Sequence, residues 1–113
     1  MVGIEDERVS ALPKEFSLAQ NYPNPFNPST LIHYDIPRDS KVRLTVYNLL
    51  GQRIRTLIDG DKSAGRYSVN WDGRTVSGDV TASGLYFYRI EAHHQKDGKN
   101  ELFTDTKKML LLR

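Results

Sequence analysis

Cysteine is absent from this 113-residue chain, so neither disulfides nor thiolate metal sites can support it and packing alone must suffice. An excess of charge of either sign is absent too. Sixteen basic residues stand against 14 acidic ones, a formal net charge of +2, which points to neither nucleic acid nor an anionic membrane as a partner. No apolar run approaches the ~20 residues that a membrane-spanning helix needs. The first residues carry Glu5, Asp6, Glu7 and Arg8 where a signal peptide would be hydrophobic, so Met1 reads as the start of an excised piece. Helical periodicity is missing as well. Leu49 to Ile58 is the nearest approach to a helix, and its β-branched residues and flanking glycines argue against one.

Catalytic motifs are lacking: there is no G-x-S-x-G elbow, H-E-x-x-H, phosphate loop or G-x-G-x-x-G. The expectation is therefore a protein without enzymatic activity or cofactor. His93 and His94 are adjacent, and on a strand they point to opposite faces, which suits no shared metal. Asp59-Gly60-Asp61 lacks the further oxygen ligands of a calcium loop and reads as turn chemistry.

What is present is concentrated in Gln20–Thr30, where Pro23, Pro25 and Pro28 alternate with asparagines. Each proline fixes its own φ and removes a donor, and each drives the residue before it into an extended conformation. Asn24 and Asn27 are suited to Asx-turns. The segment reads as a stiff, ordered loop pinned to a core by its two aromatics, Tyr22 and Phe26.

The remainder alternates with a period of two. Residues 1–14 form an acidic, flexible lead-in, and 15–113 form one domain. Phe16-Ser17-Leu18 is a short first strand. Ile32, Tyr34 and Ile36 share one face, as do Val42, Leu44 and Val46. Gly51 serves a turn at positive φ, and Arg53 to Ile58 returns as a strand. Asp59 to Gly65 is turn chemistry throughout. Tyr67, Val69 and Trp71 share a face, with the indole N–H of Trp71 expected on a backbone carbonyl. Gly84 needs backbone freedom to open the run Leu85–Ile90, which is apolar on both faces and suits a strand covered on both sides. Asp97-Gly98 marks a hairpin. Tyr47 is the most exposed aromatic candidate for stacking on a sugar. About seven strands with turns every eight to twelve residues indicate an all-β fold, a seven-stranded antiparallel β-sandwich.

Four stretches in order resemble one family. They are Gln20–Thr30, with Pro23, Asn24, Pro25 and Phe26; Val42–Leu57, with Tyr47-Asn48 ahead of Gly51-Gln52; Trp71-Asp72-Gly73-Arg74 with Ser83-Gly84-Leu85-Tyr86; and the terminal Lys107-Lys108-Met109-Leu110-Leu111-Leu112-Arg113. Together they are similar to the type A C-terminal sorting domain of proteins exported by the type IX secretion system. That domain is immunoglobulin-like and related in fold to the Ig-like domain of flagellar hook-capping proteins. The chain departs from the pattern in a longer hairpin around His93–Phe103 and in Thr75, where an acidic residue often stands.

The resemblance implies an export address rather than a catalyst. The cargo would be covalently linked on the N-terminal side and would cross the periplasm of a Gram-negative bacterium. Its partners would be the outer-membrane translocon and, in many systems, a sortase, and it would end secreted or at the cell surface. Lys107 to Arg113 would be read by the translocon through an unpaired strand edge and cationic side chains that reach solvent. The rival reading is a structural or carbohydrate-binding sandwich appended to a secreted enzyme.

Overall fold

The computed structural model describes residues 12–113, so most of the lead-in expected over residues 1–14 lies outside the described residues. Within that range there are seven strands and no helix: β1 Ser17–Leu18, β2 Thr30–Ile36, β3 Ser40–Tyr47, β4 Arg53–Lys62, β5 Gly65–Trp71, β6 Gly84–Lys96 and β7 Lys99–Leu111. They form two antiparallel sheets, in the orders β1-β2-β5 and β4-β3-β6-β7. The expected seven-stranded sandwich is the fold.

Alternation places the core. Ile32, Tyr34 and Ile36 from β2 face Val42, Leu44 and Val46 from β3 and Tyr86, Tyr88, Ile90 and Ala92 from β6, all of them buried. Each fully buried aliphatic side chain contributes roughly 1.5–3 kcal/mol relative to exposure. Leu18, Phe26, Trp71, Met109 and Leu111 complete the cluster. Met109 and Leu111 enter it while Leu110 is half-buried and Leu112 exposed, the alternation expected of the last strand.

Two expectations change. Asp59 to Lys62 is strand rather than turn, because β3 supplies partners that outweigh local turn preference: Arg43 pairs with Asp59 and Lys41 with Asp61. Register shifts at Leu44/Thr45 and Val46/Tyr47 absorb the extra residues of β4. The run Leu85–Ile90 is covered on one face only; Leu85 is exposed and Phe87 and Arg89 are half-exposed, since no third layer packs on this sheet among the described residues.

The turn glycines behave as their sequence context requires. Asp97 and Gly98 both take positive φ, 54° and 77°, in the two-residue turn that joins β6 to β7. Gly84 has φ 146°, which an L side chain rarely adopts, although open space surrounds the position a Cβ would take.

Candidate functional site

Three of the four sequence motifs meet at one end of the sandwich. The loop between β1 and β2 runs beside the outer edge of β7 and takes up its backbone groups. Phe26 N donates to Leu110 O at 3.0 Å, and Leu112 N donates to Phe26 O at 3.0 Å. Asn24 Oδ1 accepts from Leu110 N at 2.9 Å, and Gln20 Nε2 donates to Lys108 O at 2.6 Å. Phe26 and Leu111 form a short parallel bridge. The unpaired edge expected over Lys107–Arg113 is therefore already occupied by the proline-rich loop. Asn24 serves that edge, and its Oδ1 bond is to Leu110 rather than within an Asx-turn.

The loop is held from the core side as well. Asn21 is buried to 2% exposure, donating from Nδ2 to Pro23 O and to Thr30 Oγ1. Its backbone N donates to Tyr88 Oη at 2.8 Å, while that hydroxyl donates to Ala19 O at 2.7 Å. The three X-Pro bonds at Pro23, Pro25 and Pro28 are cis. Phe26, 2% exposed, lies with its ring 5.8 Å from Trp71, and Trp71 meets Tyr86 edge-on at 5.4 Å. Tyr22 is no second anchor: it is 77% exposed, because its backbone pairs with Leu31 and turns the ring outward. Asn21 is the anchor that sequence reasoning missed. Its one legible signal is an amide next to a proline-rich run, with a threonine at its far end.

The third component is the turn after β5. Trp71 Nε1 donates to Arg74 O at 3.0 Å, the carbonyl bond expected of a core tryptophan. Asp72 Oδ1 accepts from Arg74 N and from the guanidinium of Arg55, both at 3.1 Å. Gly73 has φ 74°, and its carbonyl accepts three bonds, from Thr81 N, Thr81 Oγ1 and Arg113 Nη2. Arg113 also donates from Nε to Thr81 O and from its backbone N to Ser83 Oγ. Arg113 is exposed as expected of a terminal cation, yet its guanidinium is not free. Its guanidinium is spent on two backbone carbonyls, which a net charge count cannot reveal.

The other candidate residues separate cleanly. Lys108 is exposed on the outer face of β7; Lys107 lies on the opposite face, 3.9 Å from Asp105. Gly51 belongs to the β3–β4 turn, at φ 80°, and makes no bond to the clasp formed by the proline-rich loop and the end of β7. Tyr47 is half-buried with the Arg89 guanidinium 4.9 Å above its ring, so it is not a free platform. His94 is nearly enclosed against Phe16 while His93 is exposed, on opposite faces as expected. Among the described residues no group of three or more His, Cys, Asp or Glu is placed to hold a metal.

Burial raises two phenols. Tyr34 is pushed up to about 12, chiefly by burial with a smaller contribution from Tyr67. Tyr88 is also raised to about 12 by burial, the bond from Asn21 opposing and Asp105 adding to it. An unfolded tyrosine ionises near ~10. The stability these groups supply is therefore complete below about pH 10 and is lost as pH rises from there towards 12. The melting temperature should fall steeply across that window, and Tyr34→Phe should flatten the fall. An unchanged alkaline slope in Tyr34→Phe would show that this phenol does not contribute.

The FlgD Ig-like domain family model matches residues 29–96, more than half of the chain. No curated protein matches it in sequence. Among solved structures, dimeric latent PorU from Porphyromonas gingivalis is similar at TM-score 0.66 and 18% identity, over 87% of this chain and 9% of that one. FlgD from P. aeruginosa is similar at TM-score 0.51 and 28% identity, over 73% of this chain and 61% of that one. PorZ, described as an essential bacterial surface component of the type IX secretion system of Porphyromonas gingivalis, aligns at TM-score 0.42 and 14% identity, over 95% of this chain and 12% of that one. The chain thus spans only part of each structure. The family match stops short of both Gln20–Pro28 and Lys99–Arg113, the two partners in the clasp.

Proposed function

We propose, from the premise that this chain belongs to the FlgD Ig-like domain family, that it is a non-catalytic sorting domain that addresses a linked cargo to the type IX translocon. One observation carries the reading. The features that this chain has outside the family match are not loose extensions but one bonded unit, in which the proline-rich loop zips onto the terminal strand and Arg113 locks that strand to Gly73. A fold that served only as a spacer would need no such device. An address that must be read as a folded shape gains from one, because the terminal strand then presents a single fixed arrangement of side chains rather than an ensemble.

The cargo would lie on the N-terminal side, cross the periplasm and reach the outside of the cell, where a sortase in some systems removes the domain. Recognition would be a protein–protein event at the face that Lys108, Leu110 and Leu112 present. Met109 and Leu111, being core residues, act on export only through the fold.

Lys107→Gln with Lys108→Gln tests this directly. Lys107 makes one long ion pair, with Asp105 at 3.9 Å and partly exposed to solvent, so the two lysines contribute well under ~1 kcal/mol to stability. The melting temperature should stay within a few degrees of the parent, while export of a reporter fused ahead of the domain falls sharply in a host with the type IX system. Undiminished export of the folded double variant would remove these charges from the signal. Equal failure of the parent domain in several such hosts would favour the spacer.

A further inference from the structure

Among the described residues the four-stranded sheet has an outer face with no layer over it, and its side chains there are sorted by kind. Cross-strand register places them in rows. At the clasp end Leu85 pairs with Leu110. The next row runs Arg53, Tyr47, Phe87, Lys108 across β4, β3, β6 and β7. The third runs Thr56, Thr45, Arg89, Thr106. These three rows hold four large apolar or aromatic side chains and three cations, and no carboxylate. Carboxylates begin only in the fourth row, where Asp59 and Glu91 flank Arg43.

Of the apolar members of these rows, Leu85 is exposed and Tyr47, Phe87 and Leu110 are half-exposed, and further leucines border them. Leu85 is 42% exposed, and Leu112, two residues beyond Leu110, is 49% exposed. Leu49 and Leu50 are exposed on the turn directly after Tyr47. Two of the cations sit at the sides, Arg53 on the β4 edge and Lys108 on the β7 edge, with the apolar groups between them; the third, Arg89 on β6, lies over the Tyr47 ring. A patch four strands wide spans ~14 Å, the scale of an interface centre rather than of a whole interface. An apolar centre with a rim of one sign is the complement of a surface whose apolar centre is ringed by carboxylates.

We infer that this outer face, built from Tyr47, Leu85, Phe87 and Leu110 with Arg53 and Lys108 at its sides, docks an apolar protein surface bordered by acidic residues. The inference rests on the sorting reading above and deepens it. The docking surface is the sheet face, and the last strand supplies only its outward half. A protein is favoured over a bilayer because Arg53 and Lys108 flank the apolar strip at fixed positions on opposite edges of one sheet. The chain as a whole is near charge balance, which gives little general attraction to an anionic surface.

The test fuses a reporter ahead of the full chain in a type IX host and compares two double variants with a control. Leu85→Glu/Leu112→Glu places two carboxylates at the exposed end of the apolar strip; Arg53→Glu/Lys108→Glu reverses the rim without touching a core atom. The control, Lys41→Glu/Lys99→Glu, changes two exposed charges towards the opposite end of the sheet. Surface changes of this kind leave melting within a few degrees. Export of both site variants should fall at least ~tenfold, as for loss of interface anchors, while the control exports as the parent does. Parent-like export of the folded rim variant overturns the inference and leaves the sorting reading intact. Failure of the parent itself to be exported overturns both. Sedimentation of the purified domain with phosphatidylcholine–phosphatidylglycerol vesicles, abolished by Leu85→Glu/Leu112→Glu, would overturn the protein partner in favour of a membrane surface.

Discussion

Phe26→Ala should lower the melting temperature by on the order of 15 °C or more and open the edge of β7. The ring is almost wholly enclosed, beside Trp71, and its removal leaves a cavity in a site that backbone bonds to Leu110 and Leu112 prevent from collapsing. Large-to-small changes of that kind cost about 3–5 kcal/mol, and each kcal/mol lowers Tm by roughly 4–8 °C in a domain near this size. The effect should also be local. Leu110 N and Leu112 N, which donate to Asn24 Oδ1 and Phe26 O, should lose exchange protection ahead of the amides of β3. A variant that melts with the parent, or that keeps both amides protected, would mean that Phe26 does not hold the loop.

Gly73→Ala should be nearly as damaging, for two separable reasons. A φ of 74° costs an L residue about 1–2 kcal/mol. The new Cβ would also stand 2.8 Å from Arg113 Nη2 and 3.0 Å from Pro28 O, the second a backbone atom that cannot swing aside. Displacing the guanidinium forfeits its bonds to Gly73 O and Thr81 O, and bonds to charged groups contribute about 1.5–3 kcal/mol each when well enclosed, less at this partly exposed site. A total of about 3 kcal/mol is expected. Arg113→Gln should cost only the second part, and the double variant should cost clearly less than the sum, because the lock can be lost only once. Strict additivity would show that Arg113 and Gly73 are not coupled.

Much of this was legible in the chain because period-two alternation is a property of single strands. Val42, Leu44 and Val46 declare their face without reference to any partner, as do Ile32, Tyr34 and Ile36. Positive φ at Gly51, Gly84 and Gly98 follows from turn chemistry of the same local kind. What could not be read depends on neighbours distant in sequence. The loop at Gln20–Thr30 was legible as stiff, yet that it seals an edge 86 residues further on, through Asn24 to Leu110, has no local sign. Tyr22 and Phe26 look alike as anchors in sequence, and only backbone pairing to Leu31 turns the first outward. Arg113 reads as a solvent cation because its acceptors are carbonyls, which leave no mark on composition. The strand at Asp59–Lys62 hid behind turn residues for the same reason, since its stabilising pairs lie on β3.

The family match and the clasp outside it bear on function together. A sandwich fold hosts many functions and cannot by itself name one. The loop and terminal strand are where this chain could carry its own message, and they are bonded to each other rather than to the family-matched body alone.

The sorting role is tested most directly by where a reporter fused ahead of the intact domain accumulates. It would be measured in a type IX host and in the same host with the outer-membrane translocon deleted. The role predicts reporter outside the cell or on its surface in the first strain and retained in the periplasm in the second. Reporter found in the same compartment in both strains would contradict it.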